Sequence, residues 1–239
     1  YKINKNDYQK LLQDNITTTY KKSDTNKLDE ININAKKIGS KLELNERLEK
    51  MHESEAYVTV KNHKDNFPNK ISCRLITPSK SDIGKISKRI LDSINKTIIE
   101  KTTFNHWKNT SSVIDWFSKI SNKNECTFIQ FDIENFYPSI SRKLFNEAIS
   151  FAKLYCDIND DDLSIILQSR KTLLFFDNNP WVKRYGDENF DVPMGCFDGA
   201  EVCDLVGLYI LKRLSEIWDN EDLGLYRDDG LGIFRKLSG

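Results

Sequence analysis

Apolar positions fall in helical register along several stretches of this 239-residue chain. Ile83, Ile86, Ile90, Leu91, Ile94 and Ile98 recur at helical steps, predicting an amphipathic helix over 83–99. Its other face carries Lys85, Lys88, Arg89 and Lys96. The same periodicity predicts helices over 41–54, 111–120, 142–155, 161–175 and 201–218. Ser111 or Ser112 suits an N-cap, and Asp160–Asp162 suit the positive end of a helix dipole. Alternation predicts strands at 56–61 and 72–76, separated by a polar loop. Residues 127–132 read as a buried apolar strand that ends in an acid. Segments 181–184 and 189–192 flank Gly186 as a hairpin, and 223–227 and 231–235 flank Asp228-Asp229 as another. The first forty residues, rich in Lys, Asn and Thr, read as a short helix and irregular chain.

Composition narrows the field. With 38% hydrophobic and 30% charged residues, the chain falls among globular proteins and away from wholesale disorder. No apolar run approaches the roughly 18–20 residues of a membrane span and no secretory leader opens the chain, so we expect an intracellular protein of cytoplasm or nucleus, not secreted, with no membrane partner. The 5 cysteines are odd in number and form no CxxC pair, which fits free thiols. Residues 1–110 hold 22 Lys and Arg against 14 Asp and Glu, and residues 111–239 hold 14 against 22. A basic half suits phosphates and an acidic half suits metal cations; two such halves also suit each other on an ordinary surface.

Two segments carry candidate chemistry. In Phe131-Asp132-Ile133-Glu134-Asn135-Phe136-Tyr137 an acid follows an apolar strand and an aromatic pair follows the acid. In Leu225-Tyr226-Arg227-Asp228-Asp229-Gly230-Leu231 two adjacent acids sit at the tip of an apolar hairpin. Adjacent carboxylates repel, and a divalent cation relieves that repulsion. Three carboxylates at one sheet edge would bind two Mg²⁺ ions, with Mn²⁺ as a substitute, an arrangement suited to phosphoryl transfer. Asp228-Asp229 alone also suits an ordinary Asp-Asp-Gly turn. The aromatic-x-Asp-Asp frame together with the upstream Asp132 favours catalysis.

These two segments resemble motifs A and C of the reverse transcriptases. The resemblance implies that Asp132, Asp228 and Asp229 are catalytic metal ligands, with the Ile133 carbonyl as a further ligand. It implies that Tyr137 is a steric gate that favours deoxynucleotides. Val192-Pro193-Met194-Gly195 resembles motif B, which places Met194 and Gly195 at the nucleotide, although Cys196-Phe197-Asp198 replaces the family's usual small pair. Val60-Lys61-Asn62-His63-Lys64 and Cys73-Arg74-Leu75-Ile76 are similar to the finger hairpin of Penelope-like retroelement enzymes, with Leu75 in place of a proline. That similarity implies that Lys61, Lys64 and Arg74 bind the triphosphate; His63 reads as structural or as a backbone contact. Lys85, Lys88 and Arg89 would then lie against a nucleic-acid backbone, though a merely solvated face is an open alternative. Trp107, Trp116 and Trp181 are assigned to the core or an interface, not to base stacking.

The fold implied is α+β: a right-hand polymerase palm, with an antiparallel sheet and packed helices, preceded by a fingers subdomain. The expected division is an N-terminal segment 1–55, fingers 56–124 and palm 125–239, with fingers elements recurring within 141–190. The expected reaction is RNA-directed DNA synthesis from dNTPs on a primed RNA or DNA template. The chain stops ten residues after Asp229, so a thumb is expected from a longer protein or a partner chain. Two other readings stand: an RNA-dependent RNA polymerase on the same palm, which conflicts with Tyr137, and a non-catalytic nucleic-acid-binding or scaffold module.

Overall fold

The apolar stripe at 83–99 becomes α3 (Asp82–Lys101), which buries Leu91, Ile94 and Ile98. The computed structural model describes residues 3–24, 26–44, 51, 53–62, 67, 71–78, 80–219 and 222–235. It is a mixed α+β structure of helices and mainly antiparallel sheets. Contacts divide the chain into two units, Tyr1–Ile90 with Ile158–Gly199, and Leu91–Asp157 with Ala200–Gly239. This differs from the sequential division 1–55, 56–124 and 125–239, because strands distant in sequence pair within each unit.

In the first unit, α1 (Lys5–Thr19) leads into β1 (Tyr20–Lys22), and α2 (Asn26–Lys41) follows. β2 (Tyr57–Val60) and β3 (Cys73–Ile76) form an antiparallel hairpin. Later in the chain come α7 (Asp160–Ser169), β6 (Leu174–Phe176) and β7 (Asn179–Lys183), the last pairing with both β6 and β1. Successive strand residues point to opposite faces. Leu174 and Trp181 accordingly join Leu12, Ile16 and Val58 in one core cluster, while Leu173, Phe175 and Val182 join Ile31 and Met51 in another.

In the second unit, a four-stranded sheet has the order β4-β8-β9-β5, from β4 (Asn105–His106), β8 (Leu223–Tyr226), β9 (Asp229–Arg235) and β5 (Cys126–Asp132). β4 runs parallel to β8 and the other pairs are antiparallel. α4 (Thr110–Lys119) brings Trp116 onto one face beside Trp107 and Ile233. α8 (Gly199–Leu214) brings Leu211 onto the other, beside Leu223 and Leu225. α5 (Phe136–Ser139) and α6 (Arg142–Ala152) follow β5. No helix among the described residues is long and apolar enough to cross a membrane.

Several elements depart from their sequence pattern. The first forty residues contain two well-formed helices, not mainly irregular chain: their few apolar positions anchor tertiary contacts, and packing outweighs propensity. The helix expected over 41–54 is absent at its described ends. α2 closes at Lys41, Glu43 turns left-handed (φ 55°), and Leu44 N–H bonds back to Gly39 C=O at 2.8 Å; residues 45–50 and 52 lie outside the described residues. The helix expected over 161–175 ends at Ser169, because the apolar run after it is strand β6. The hairpin around Gly186 is replaced by one turning at Asp177-Asn178, both at positive φ, whose amides donate to the Glu55 carboxylate at 3.0 and 2.9 Å. α4 is capped by Asn109, not by a serine, its side chain accepting from Ser112 N–H at 2.9 Å. β5 is not buried: with β9 on one side only, it is a sheet edge, leaving Phe128 39% and Ile129 37% exposed.

Close approach fixes Gly224 in β8. A Cβ there would stand 2.3 Å from the Trp107 ring. That ring is buried and lies 5.0 Å from Trp116, so it has little freedom to withdraw. Gly224→Ala is expected to destabilise the protein by about 1–3 kcal/mol through overpacking, read from the midpoint of denaturant unfolding.

Candidate functional site

The acids found by sequence converge through the register of one sheet. Asp132 ends β5, Asp229 begins β9, and the two are directly opposed. Tyr226 of β8 opposes Asp229 on its other side. Opposed residues in an antiparallel pair have Cα atoms ~4.5–5.5 Å apart, so two carboxylate-bearing residues lie abreast. Asp228 occupies the turn with Arg227, which is left-handed (φ 57°). The pairing continues past Asp132: Ile133 N–H donates to Asp228 C=O at 2.8 Å. This bond ties the acid-bearing turn to the end of β5.

All three acids are exposed. The Asp229 carboxyl is nonetheless raised above the ordinary Asp value, first by partial burial and then by the negative charges of Asp228 and Asp132. Among the described residues no three His, Cys, Asp or Glu side chains stand as a ready-made metal-binding group. The backbone gathers the acids at one end of the sheet. A cation suits the donor set, since oxygen ligands bind Mg²⁺ and a positive charge would offset the repulsion at Asp229.

Beyond Asp132 the chain turns sharply. Asn135 adopts a left-handed conformation (φ 51°) and opens the single turn α5, which is pinned by buried Phe136 and Ile140. Tyr137 lies between these anchors and is half-buried. An open groove of about 570 Å³ in this unit is lined by Arg142, Lys143, Asn146, Glu147, Ser150 and Tyr209, and none of the predicted site residues lines it.

The remaining predicted residues belong to the first unit. Arg74 is exposed on β3 opposite Thr59, and Lys61 continues the β2–β3 ladder by donating its N–H to Ser72 C=O at 2.8 Å. Lys64 and His63 lie outside the described residues. Met194 and Gly195 meet the end of this hairpin: Thr77 N–H donates to Met194 C=O at 2.7 Å. Gly195 has φ 113° and a Cβ there would stand 2.6 Å from Thr77 O, so only glycine fits. On α3, Lys85 and Arg89 are exposed and Lys88 is half-buried; Lys85 pairs with Asp82 at 2.6 Å. Lys80 and Lys85 each approach the Phe197 ring, at 5.3 and 5.2 Å.

The sequence did not reveal Arg170 as a functional candidate. Its guanidinium is fully buried and forms an ion pair with equally buried Asp198. Ser87 and Ser169 hydroxyls donate to Asp198 Oδ2 at 2.5 and 2.8 Å. Burial works against the Arg170 charge, but the Asp198 carboxylate outweighs it and holds the group protonated. The available signal was Asp198, an acid just beyond the departure from the resembled motif; Arg170 was masked by a helix prediction that ran through it.

No family model matches this chain, and no curated protein does. Among solved structures, five chains match. One is described as apo telomerase from Candida tropicalis truncated from its C-terminal domain. It is 15% identical, with a TM-score of 0.45, and the likeness covers 65% of this chain and 34% of that one. The class the coordinates define is a mixed α+β protein whose second unit ends its sheet in opposed acids.

Asp229 gives a pH test. A carboxyl raised in the folded state binds more protons there than in the unfolded chain, so stability falls as pH rises through and above the ordinary Asp range near ~3.9. In metal-free buffer at neutral pH, Asp229→Asn is expected to melt higher than wild type. The gap should close once both the folded and unfolded carboxyls are protonated at lower pH; calorimetric melting at the two conditions checks it.

Proposed function

We propose that this chain is the fingers–palm portion of a reverse transcriptase, adding deoxynucleotides to a primer 3′-end on an RNA or DNA template. The observation that carries the reading is the opposed Asp132–Asp229 pair with Asp228 tied to Ile133. Asp132, Asp228, Asp229 and the Ile133 carbonyl would hold Mg²⁺, which when bound stabilises the attacking and leaving oxygens of the transfer. The primer 3′-oxygen forms a bond to the α-phosphorus, and the bond to pyrophosphate breaks. Tyr137 discriminates against a 2′-hydroxyl by bulk. Lys61, Lys64 and Arg74 neutralise the triphosphate, Met194 and Gly195 face the nucleotide, and Lys85, Lys88 and Arg89 contact the nucleic-acid backbone. The Lys61–Lys64 and Arg74 hairpin pattern supports the Penelope-like branch within this reading. A thumb from a longer chain or a partner would grip the duplex.

The departure of Cys196-Phe197-Asp198 from the motif B pattern favours, as a second reading, a non-catalytic nucleic-acid-binding module derived from a polymerase. Primer extension separates the two. The wild-type protein with Mg²⁺, dNTPs and a primed RNA or DNA template should extend the primer. Asp228→Asn should lower the rate by about 10³-fold, as expected for losing several kcal/mol of charge stabilisation. No extension by wild type, or undiminished extension by the variant, refutes the assignment. Tyr137→Ala should raise ribonucleotide incorporation relative to deoxynucleotide; unchanged sugar selectivity removes Tyr137 as the gate.

A further inference from the structure

The segment Asp191–Asp198 carries Met194 and Gly195, and one buried side chain holds it at both ends. Arg170 Nη1–H donates to Asp191 C=O at 3.4 Å. Its Nη2–H bonds the Asp198 carboxylate and also Ser169 Oγ at 3.2 Å. The Cys196 thiol bonds within the loop, donating to Pro193 C=O at 3.1 Å. The two ends of the loop are thus fastened to one fork.

Further contacts brace each end. Asp191 accepts from the Tyr20 hydroxyl at 2.7 Å, pairs with Lys183 at 3.4 Å, and binds its neighbour's amide, Val192 N–H, at 2.9 Å. Asp191 N–H donates to Arg170 C=O at 3.0 Å, so the loop and its clamp are joined through backbone as well. Asp198 collects the hydroxyls of Ser87 and Ser169. The loop between holds Gly195 against Thr77 at φ 113°, a conformation open to glycine and closed to a residue with a Cβ.

A buried ion pair is weak evidence for stability, since apolar replacements of similar volume are often neutral or stabilising. Its geometric effect is the more informative property here. A planar guanidinium bonds the carboxylate at one end of the loop and the carbonyl at the other from a fixed fork, a geometry that a lysine ammonium, a point charge, does not reproduce.

We propose that Arg170 and Asp198 are positioning residues, a buried clamp that fixes the 192–197 loop in the single shape that presents Met194 and Gly195. The functional consequence, nucleotide affinity, rests on the polymerase reading above; the clamp itself does not. The half-buried Cys196 thiol lies within the loop and reports its shape. Desolvation pushes its pKa up to about 11, so in the clamped loop it is protonated and slow to alkylate.

The test uses the full chain carrying Arg170→Met with Asp198→Leu, which removes both charges together. Iodoacetamide labelling in native buffer is followed by peptide mass mapping. Cys196 is expected to label at least ~10-fold faster than in wild type, while Cys203, buried in α8, keeps its wild-type rate and so reports that the fold is intact. Unchanged Cys196 labelling in the folded variant overturns the clamp. Should Cys203 also label fast, showing that the double variant unfolds, Arg170→Lys replaces it. That variant keeps the charge and loses the fork, and the same two outcomes decide. Where wild type extends primers, the KM for dNTP should rise at least ~10-fold with kcat within about threefold, the signature of lost uniform binding. An unchanged KM with a freed Cys196 overturns the positioning role. Where wild type does not extend primers, the polymerase reading fails alone, and Cys196 labelling still decides the clamp.

Discussion

The opposition of Asp132 to Asp229 depends on a register that the sheet has little freedom to change. Side chains alternate along a strand, so slipping β5 by one residue against β9 would send every side chain to the other face. The ring of Phe131 lies across Gly230, where a Cβ would stand 2.1 Å from it. A slip would offer that ring Asp229 or Leu231 in place of an empty position. The same hydrophobic fit that packs Phe131 with Leu223 and Leu225 therefore sets where the carboxylates fall. The placement of the acids, on this view, is a by-product of packing geometry one residue further along the strands.

The first unit solves a similar problem with polar means. Its Asp191–Asp198 segment has no regular ladder of its own, and its buried groups must find partners one by one. Arg170 supplies several of them from a single centre, at the cost of desolvating a charge that Asp198 must compensate. Such a network is more demanding than apolar packing because each member depends on the others. It also permits fewer alternative loop shapes, which apolar contacts alone would tolerate.

Legibility in the sequence followed the strength of local signals. α3, the β2–β3 hairpin and the Asp228-Asp229 turn were visible because periodicity or turn chemistry acts over a few residues. Asp132 and Asp229 were paired on paper by motif order, and the sheet opposes them by register. What escaped was tertiary. Leu173–Phe176 reads equally as the end of a helix or as a strand, and only pairing with Asn179–Lys183 decides it. The exposure of β5 follows from its place at the sheet edge, which no local pattern encodes. Arg170 was hidden because a buried charge looks, in sequence, the same as a surface one.

The charge pattern shows the same limit from another side. The basic first half and acidic second half of the chain do not survive as two bodies. The unit of residues 1–90 and 158–199 contains 23 Lys and Arg against 20 Asp and Glu, and the other unit 13 against 16. Interleaving the chain has nearly cancelled an asymmetry that looked like a division of labour. Net charge per unit therefore says little about where anions or cations bind. The informative electrostatics are local: at Asp229 partial burial and then the charges of Asp228 and Asp132, at the spacing set by the strands, raise the carboxyl. Within ~8–10 Å, the screening distance at physiological salt, such spacing outweighs the charge of the remaining surface.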